Sequence, residues 1–189
     1  MAQRLVVALT GASGQILGIR LLQVLREMPE IETHLVVSAA ARATIVQETD
    51  WQPADVLALA DVVYRPGDIG AAIASGSFQT MGMVVVPCSI KTLSAIAHSY
   101  AADLVSRAAD VTLKEGRPLL LVVRETPLHL GHLRLMAQAA ELGAIIFPPV
   151  PAFYQRPQTV EDIVDALVGR ILVRMGIPTR LLREWKGMT

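Results

Sequence analysis

Short apolar runs alternate along this chain with longer stretches in which apolar residues recur at helical spacing. The runs at 5–9, 33–37, 83–86, 119–123 and 144–147 are rich in Val, Leu and Ile and predict strands, with 61–64 as a weaker sixth. Between them, 16–26, 40–48, 104–114 and 131–142 carry the period of amphipathic helices. A last helix is predicted over 160–175, with Val160, Ile163, Val164, Leu167, Val168, Ile171 and Leu172 as its buried stripe. Glu161 and Asp162 fall in its first turn, where the helix dipole favours acids. Strands that read apolar throughout, separated by helices, predict βαβ units whose parallel sheet is covered on both faces. The expected fold is α/β: a single doubly wound domain, Rossmann- or flavodoxin-like, over 1–189. Pro148, Pro149 and Pro151 read as a rigid loop inside that domain, and no repeat or interdomain linker interrupts it.

Composition narrows the function. With 189 residues, 52% hydrophobic and 18% charged, the chain can bury a sizeable core. Seventeen basic residues balance seventeen acidic ones, so there is no general field for nucleic acid and any anion site must be local. The lone Cys88 excludes a disulfide framework and a Cys-based zinc site. No run reaches the roughly 18 to 20 apolar residues of a membrane span. Residues 1–9 resemble a signal peptide only superficially, because a strand, a glycine turn and a helix follow; a cytoplasmic protein is expected.

In such sheets, ligands bind beyond the carboxyl ends of the strands, so the residues there matter most. Thr10-Gly11-Ala12-Ser13-Gly14 follows the first strand and reads as a phosphate loop feeding a helix; the alternative is that its glycines serve packing alone. The second strand ends in Ser38 without the acid that would hold an adenosine ribose, which favours a mononucleotide over a dinucleotide. After the third comes Pro87-Cys88-Ser89-Ile90-Lys91-Thr92, where Ser89 and Thr92 are good helix caps and anion ligands. Cys88 lacks a basic partner and reads as a buried small residue. Arg107, Asp110 and Lys114 share one helix face and form at least an ion-pair ladder. Arg124-Glu125 ends a buried strand at the ligand edge, and Phe153-Tyr154 could wall a pocket or a subunit contact. Arg170 lies one position outside the last helix's stripe. His129 and His132 read as capping or surface residues, and no metal site is expected.

Taken together, Thr10–Gly14, Pro87-Cys88-Ser89-Ile90-Lys91-Thr92-Leu93, the 107–115 segment, Arg124-Glu125-Thr126-Pro127 and Pro151-Ala152-Phe153-Tyr154 resemble the UbiX-type flavin prenyltransferases over nearly the whole chain. The resemblance implies transfer of the dimethylallyl group of dimethylallyl monophosphate to N5 and C6 of reduced FMN, without a metal, the product serving a UbiD-type decarboxylase. Direct aromatic-acid decarboxylation and a non-catalytic FMN carrier are the rival readings. By position, Gly11, Ala12, Ser13, Ser38, Ser89, Ile90, Lys91, Thr92, Arg107 and Arg124 are implied to hold FMN. Lys114, Glu125, Tyr154 and Arg170 are implied to hold the prenyl phosphate. Ser13, Glu48, Lys114 and Glu125 are the implied catalytic groups, with Glu48 and Ser13 moving protons near N5. A homo-oligomer, a dodecamer, with sites at subunit contacts is also implied. Leu17, and the Ala101-Ala102-Asp103 approach to Leu104, depart from residues common in the family.

Overall fold

The computed structural model describes residues 2–182 and 187. Its elements run β1 (Gln3–Leu9), α1 (Gln15–Arg26), β2 (Ile31–Val37), α2 (Ala39–Glu48), α3 (Pro53–Leu57), β3 (Val62–Tyr64), β4 (Gly82–Cys88), α4 (Ile90–Ala97), α5 (Leu104–Lys114), β5 (Leu119–Val123), α6 (Leu130–Glu141), β6 (Ile145–Ile146) and α7 (Val160–Arg174). All neighbouring strands pair in parallel, in the order β3-β2-β1-β4-β5-β6. The chain thus winds outward from β1 in one direction and from β4 in the other, leaving a crevice between their carboxyl ends.

Alternate residues of each strand feed two separate cores. Leu5, Val7, Leu9, Val84, Val86, Leu120 and Val122 meet α1 and α7 on one face. Val6, Ala8, Met83, Val85, Leu119 and Leu121 meet α4 and α5 on the other. Because both faces are dry, the strands read apolar throughout instead of alternating. Each fully buried Leu or Val removes apolar surface worth about 1.5–3 kcal/mol, so a polar substitution at Val84 or Leu120 would break the sheet's centre. Gly18 lets α1 approach β4: a Cβ there would stand 2.6 Å from the Val86 carbonyl oxygen.

All six strands occur where the apolar runs predict them, although β6 shrinks to two residues. The 3-10 turn at Ala72–Ala74 and α3 are short and not among the predicted helices. The helix α4 was anticipated only through Ser89 and Thr92 as cap or ligand groups, and Ser89 is its N-cap. None of the described helices is long and apolar enough to cross a membrane.

Candidate active site

At the crevice between β1 and β4 lies a cavity of about 730 Å³, lined by loops following four of the strands. Thr10, Gly11, Ala12 and Ser13 come from the end of β1, and Ser38, Ala39 and Ala40 from the end of β2. Ser89, Ile90, Lys91 and Thr92 come from the end of β4, and Arg124 and Glu125 from the end of β5. The volume is in the usual range for small-molecule sites.

Behind the first side of the cavity, a carboxylate holds the start of α1. Glu48, the last residue of α2, reaches back to α1 and accepts from the Ser13 hydroxyl at 2.8 Å, the Gly14 N–H at 3.0 Å and the Gln15 N–H at 3.3 Å. Gly14, at φ 99°, makes the left-handed turn that opens the helix. The positive end of α1 is therefore already engaged by an anion of the chain itself. Of the phosphate loop expected at 10–14, Thr10, Gly11, Ala12 and Ser13 line the cavity, while the Gly14 and Gln15 N–H groups are taken by Glu48 and would not receive a second anion.

The opposite side fits an anion better. Ser89 caps α4, its Oγ accepting from the Thr92 N–H at 3.3 Å, while the first-turn N–H groups of Ile90 and Lys91 have no partner among the described residues. Thr10 locks this cap onto β1: its Oγ1 accepts from the Ser89 N–H at 2.8 Å and donates to the Pro87 carbonyl at 2.8 Å. Lys91 lies 3.6 Å from Asp103, which caps α5 through the Ser106 N–H. Arg124 and Glu125 close the far wall.

Cys88 ends β4 just beneath this cradle, fully buried, and burial pushes its thiol up to about 12. It is a packing residue, as expected, and supplies no thiolate. His129 caps α6 by accepting from the Gly131 N–H at 3.0 Å. Among the described residues no three His, Cys, Asp or Glu side chains gather as a metal site.

Five anticipated residues are not among those lining this cavity: Glu48, which reaches it only through Ser13, and four that lie farther off. Arg107 bonds Asp110 at 2.9 Å and the Ala74 carbonyl at 3.3 Å. Lys114 ends α5 beside Glu115 and Gly76, at the sheet edge where β4 and β5 begin, and the nearby ammonium holds the Glu115 carboxyl below its usual range. The ladder reading of this face therefore holds for Arg107 and Asp110 and not for Lys114. Tyr154 sits exposed on the turn Phe153–Gln155, next to a second cavity of about 470 Å³ that Gln155, Arg156, Asp162 and Arg180 line. Arg170 is exposed on α7. Pro66, Asp103 and Val105 line the main cavity without having been anticipated; only Asp103 left a signal, its spacing to Ser106 being that of a capping box.

Comparison with known proteins agrees with this geometry. The Flavoprotein family matches residues 1–172. "Flavin prenyltransferase UbiX" of Escherichia coli (strain K12) is 61% identical over 187 residues, covering 98% of this chain and 99% of the relative. A crystal structure of AnUbiX in complex with FMN and dimethylallyl pyrophosphate superposes with a TM-score of 0.97 at 51% identity, covering 100% of both chains. A dodecameric FMN-dependent UbiX-like decarboxylase from Escherichia coli O157:H7 superposes with a TM-score of 0.96 at 52% identity, covering 98% of this chain and 100% of the other. The chain belongs to the flavoprotein family and, within it, to the UbiX flavin prenyltransferases.

Proposed function

We propose that this protein is a metal-independent transferase that moves the dimethylallyl group of dimethylallyl monophosphate onto N5 and C6 of reduced FMN, supplying prenylated FMN to a UbiD-type decarboxylase. The observation that carries the reading is one cavity with an anion cradle on α4 and, across it, the Ser13 hydroxyl, which donates to the Glu48 carboxylate behind the lining.

The residues present fit FMN. The cradle of Ser89, Ile90, Lys91 and Thr92 offers hydroxyls, a cation and two unpartnered first-turn N–H groups for its phosphate, with Arg124 opposite. Gly11, Ala12, Ser13 and Ser38 then flank the ring system. When bound, reduced FMN supplies the electron-rich nitrogen and carbon that accept the prenyl carbons. Ser13 and Glu48 are within hydrogen-bond distance of each other and can pass a proton at the cavity wall; Glu125 offers a second carboxylate across it. Holding both substrates in one cavity contributes through proximity.

The donor's phosphate needs positive charge as its bond to carbon breaks, and fixed donors aimed at that charge can replace a metal. Lys114, Tyr154 and Arg170, with Arg107 beside the flavin, lie off the cavity of their own chain, so in this reading neighbouring copies contribute them. A homo-oligomer is then a requirement of the active site, and a dodecamer is the proposed form. The same reading places the protein in the cytoplasm, whose reducing poise suits a reduced flavin.

The decisive experiment is anaerobic incubation of the purified protein with reduced FMN and dimethylallyl monophosphate, followed by mass spectrometry of the extracted flavin. A gain of one dimethylallyl unit is expected. Unmodified FMN from protein that binds it would overturn the reading for this donor. Parallel arms with dimethylallyl diphosphate and with hydroxyaryl acids, the latter scored by CO₂ release, distinguish another donor or a direct decarboxylase.

A further inference from the structure

One buried side chain holds two carbonyls of the 10–14 loop, those of Thr10 and Ala12. Gln15, the first residue of α1, is polar yet 0% exposed. Its Nε2 donates to the Thr10 carbonyl at 2.7 Å and to the Ala12 carbonyl at 2.8 Å. Those two acceptors fix the orientation of the amide, since turning it over would set Oε1 against two carbonyl oxygens with no hydrogen between them. Oε1 has no partner among the described residues. An apolar residue would avoid that cost, so the two donated bonds are what this side chain contributes.

In a planar trans peptide the C=O and the following N–H point in opposite directions. Cis peptides occur only before Pro87 and Pro127 among the described residues. Drawing the Thr10 carbonyl inward therefore turns the Gly11 N–H outward, and drawing in the Ala12 carbonyl does the same for the Ser13 N–H. Both residues line the cavity, and neither N–H has a partner among the described residues. The remaining loop donors are committed: the Ala12 N–H to the Thr10 carbonyl at 2.8 Å, and the Gly14 and Gln15 N–H groups to Glu48.

We propose that Gln15 is a positioning residue that aims the backbone N–H groups of Gly11 and Ser13, as a pair, at a hydrogen-bond acceptor of the bound flavin. The proposal rests on the reading of this cavity as the FMN site. It also gives the two sides of the cavity a common brace. Through Thr10 the amide is tied to the Ser89 cap, and through Ala12 to the neighbour of Ser13, whose hydroxyl meets Glu48.

The test is Gln15→Met, which keeps the length and bulk of the side chain and removes both donors. Apoprotein is titrated with FMN while the flavin absorption spectrum is recorded. We expect binding at least about tenfold weaker, the loss of one to two net hydrogen bonds, and a bound spectrum displaced toward that of free flavin. A purely packing role would lower the melting temperature while leaving affinity and spectrum at wild-type values, and that result overturns the proposal. Wild-type protein that takes up no FMN would sink the reading of the cavity, and the proposal with it, before any variant is compared. If Gln15→Met does not fold, Gln15→Glu serves instead, because a buried acid donates only while protonated. Its FMN affinity relative to wild type then falls as pH rises from about 5 to about 8; a constant ratio overturns the proposal.

Discussion

Ser13 and Glu48 stand 35 residues apart in the chain, yet the hydroxyl of one donates to the carboxylate of the other at 2.8 Å. The same carboxylate takes the Gly14 and Gln15 N–H groups, so it caps the helix and stands behind Ser13, which lines the cavity. Glu48→Gln keeps an acceptor for those N–H groups but removes the proton-carrying group. Prenyl transfer should fall about a hundredfold or more, the scale of losing a general acid–base, while FMN remains bound. Initial rates and flavin titrations on the same protein check this; an unchanged rate would take Glu48 out of proton transfer.

If the flavin phosphate lies on α4, charge placed at its cap should repel it. Ser89→Asp is suited to the test because Asp is as good an N-cap as Ser, leaving the helix intact. The variant should lose FMN by about tenfold to a hundredfold, the worth of a charge-assisted hydrogen bond, while riboflavin, without the phosphate, binds nearly as before. The melting temperature should hold. Equal loss of both flavins would move the phosphate away from Ser89.

The contrast between these two helix starts also marks what the sequence could reveal. Strands such as 83–86 and 119–123 were legible because both faces of the sheet are dry, so local composition alone encodes them. The strand-end residues were legible for the same reason, since an open parallel sheet presents its ligand there. Which anion occupies which helix start was not legible. Glu48 meets Ser13 through the packing of α2 beside α1, so the chain spacing carries no trace of it and only the family resemblance implied the pair. Gln15 was missed because a buried amide interrupts no hydrophobic pattern at the first turn of a helix. Lys114 shares a face with Arg107 in the helical pattern, but eleven residues of α5 carry it to the other edge of the sheet.

That displacement makes a prediction about assembly. Arg170→Ala should lower prenyl transfer about a hundredfold, comparable to losing one donor to a developing oxyanion, with FMN affinity unchanged. If neighbouring copies supply Arg170, mixed oligomers of Arg170→Ala and Ser89→Asp should recover activity that neither variant shows alone. Some mixed sites would then pair an intact cradle with an intact arginine. Activity no better than the average of the two variants would place both residues on one chain's site.

Fixed cations around the donor phosphate make a metal unnecessary to the mechanism proposed. Dialysis against EDTA should therefore leave the rate of prenyl transfer where it was. A loss restored by Mg²⁺ would require a metal among the groups stabilising the leaving phosphate.

Stability should depend on pH through His34, away from the cavity. This ring is 2% exposed on β2; its Nδ1 lies 2.9 Å from the Tyr64 hydroxyl and its Nε2 lies 2.8 Å from Glu32. A neutral ring satisfies both contacts, with Nε2–H donating to Glu32 and Nδ1 accepting from Tyr64. Burial lowers its pKa below the ordinary 6.5, and Arg4 adds to this, although Glu32 and Asp61 pull the other way. The unfolded chain therefore takes up the proton at higher pH than the folded one does. Stability is full above about 6.5 and is lost as pH falls from there through the folded-state value. The melting temperature should drop between about pH 7 and pH 5, and His34→Gln should flatten that part of the curve while costing about 1–3 kcal/mol of stability at neutral pH. Parallel wild-type and variant curves across this range would show that His34 does not set the acid limit.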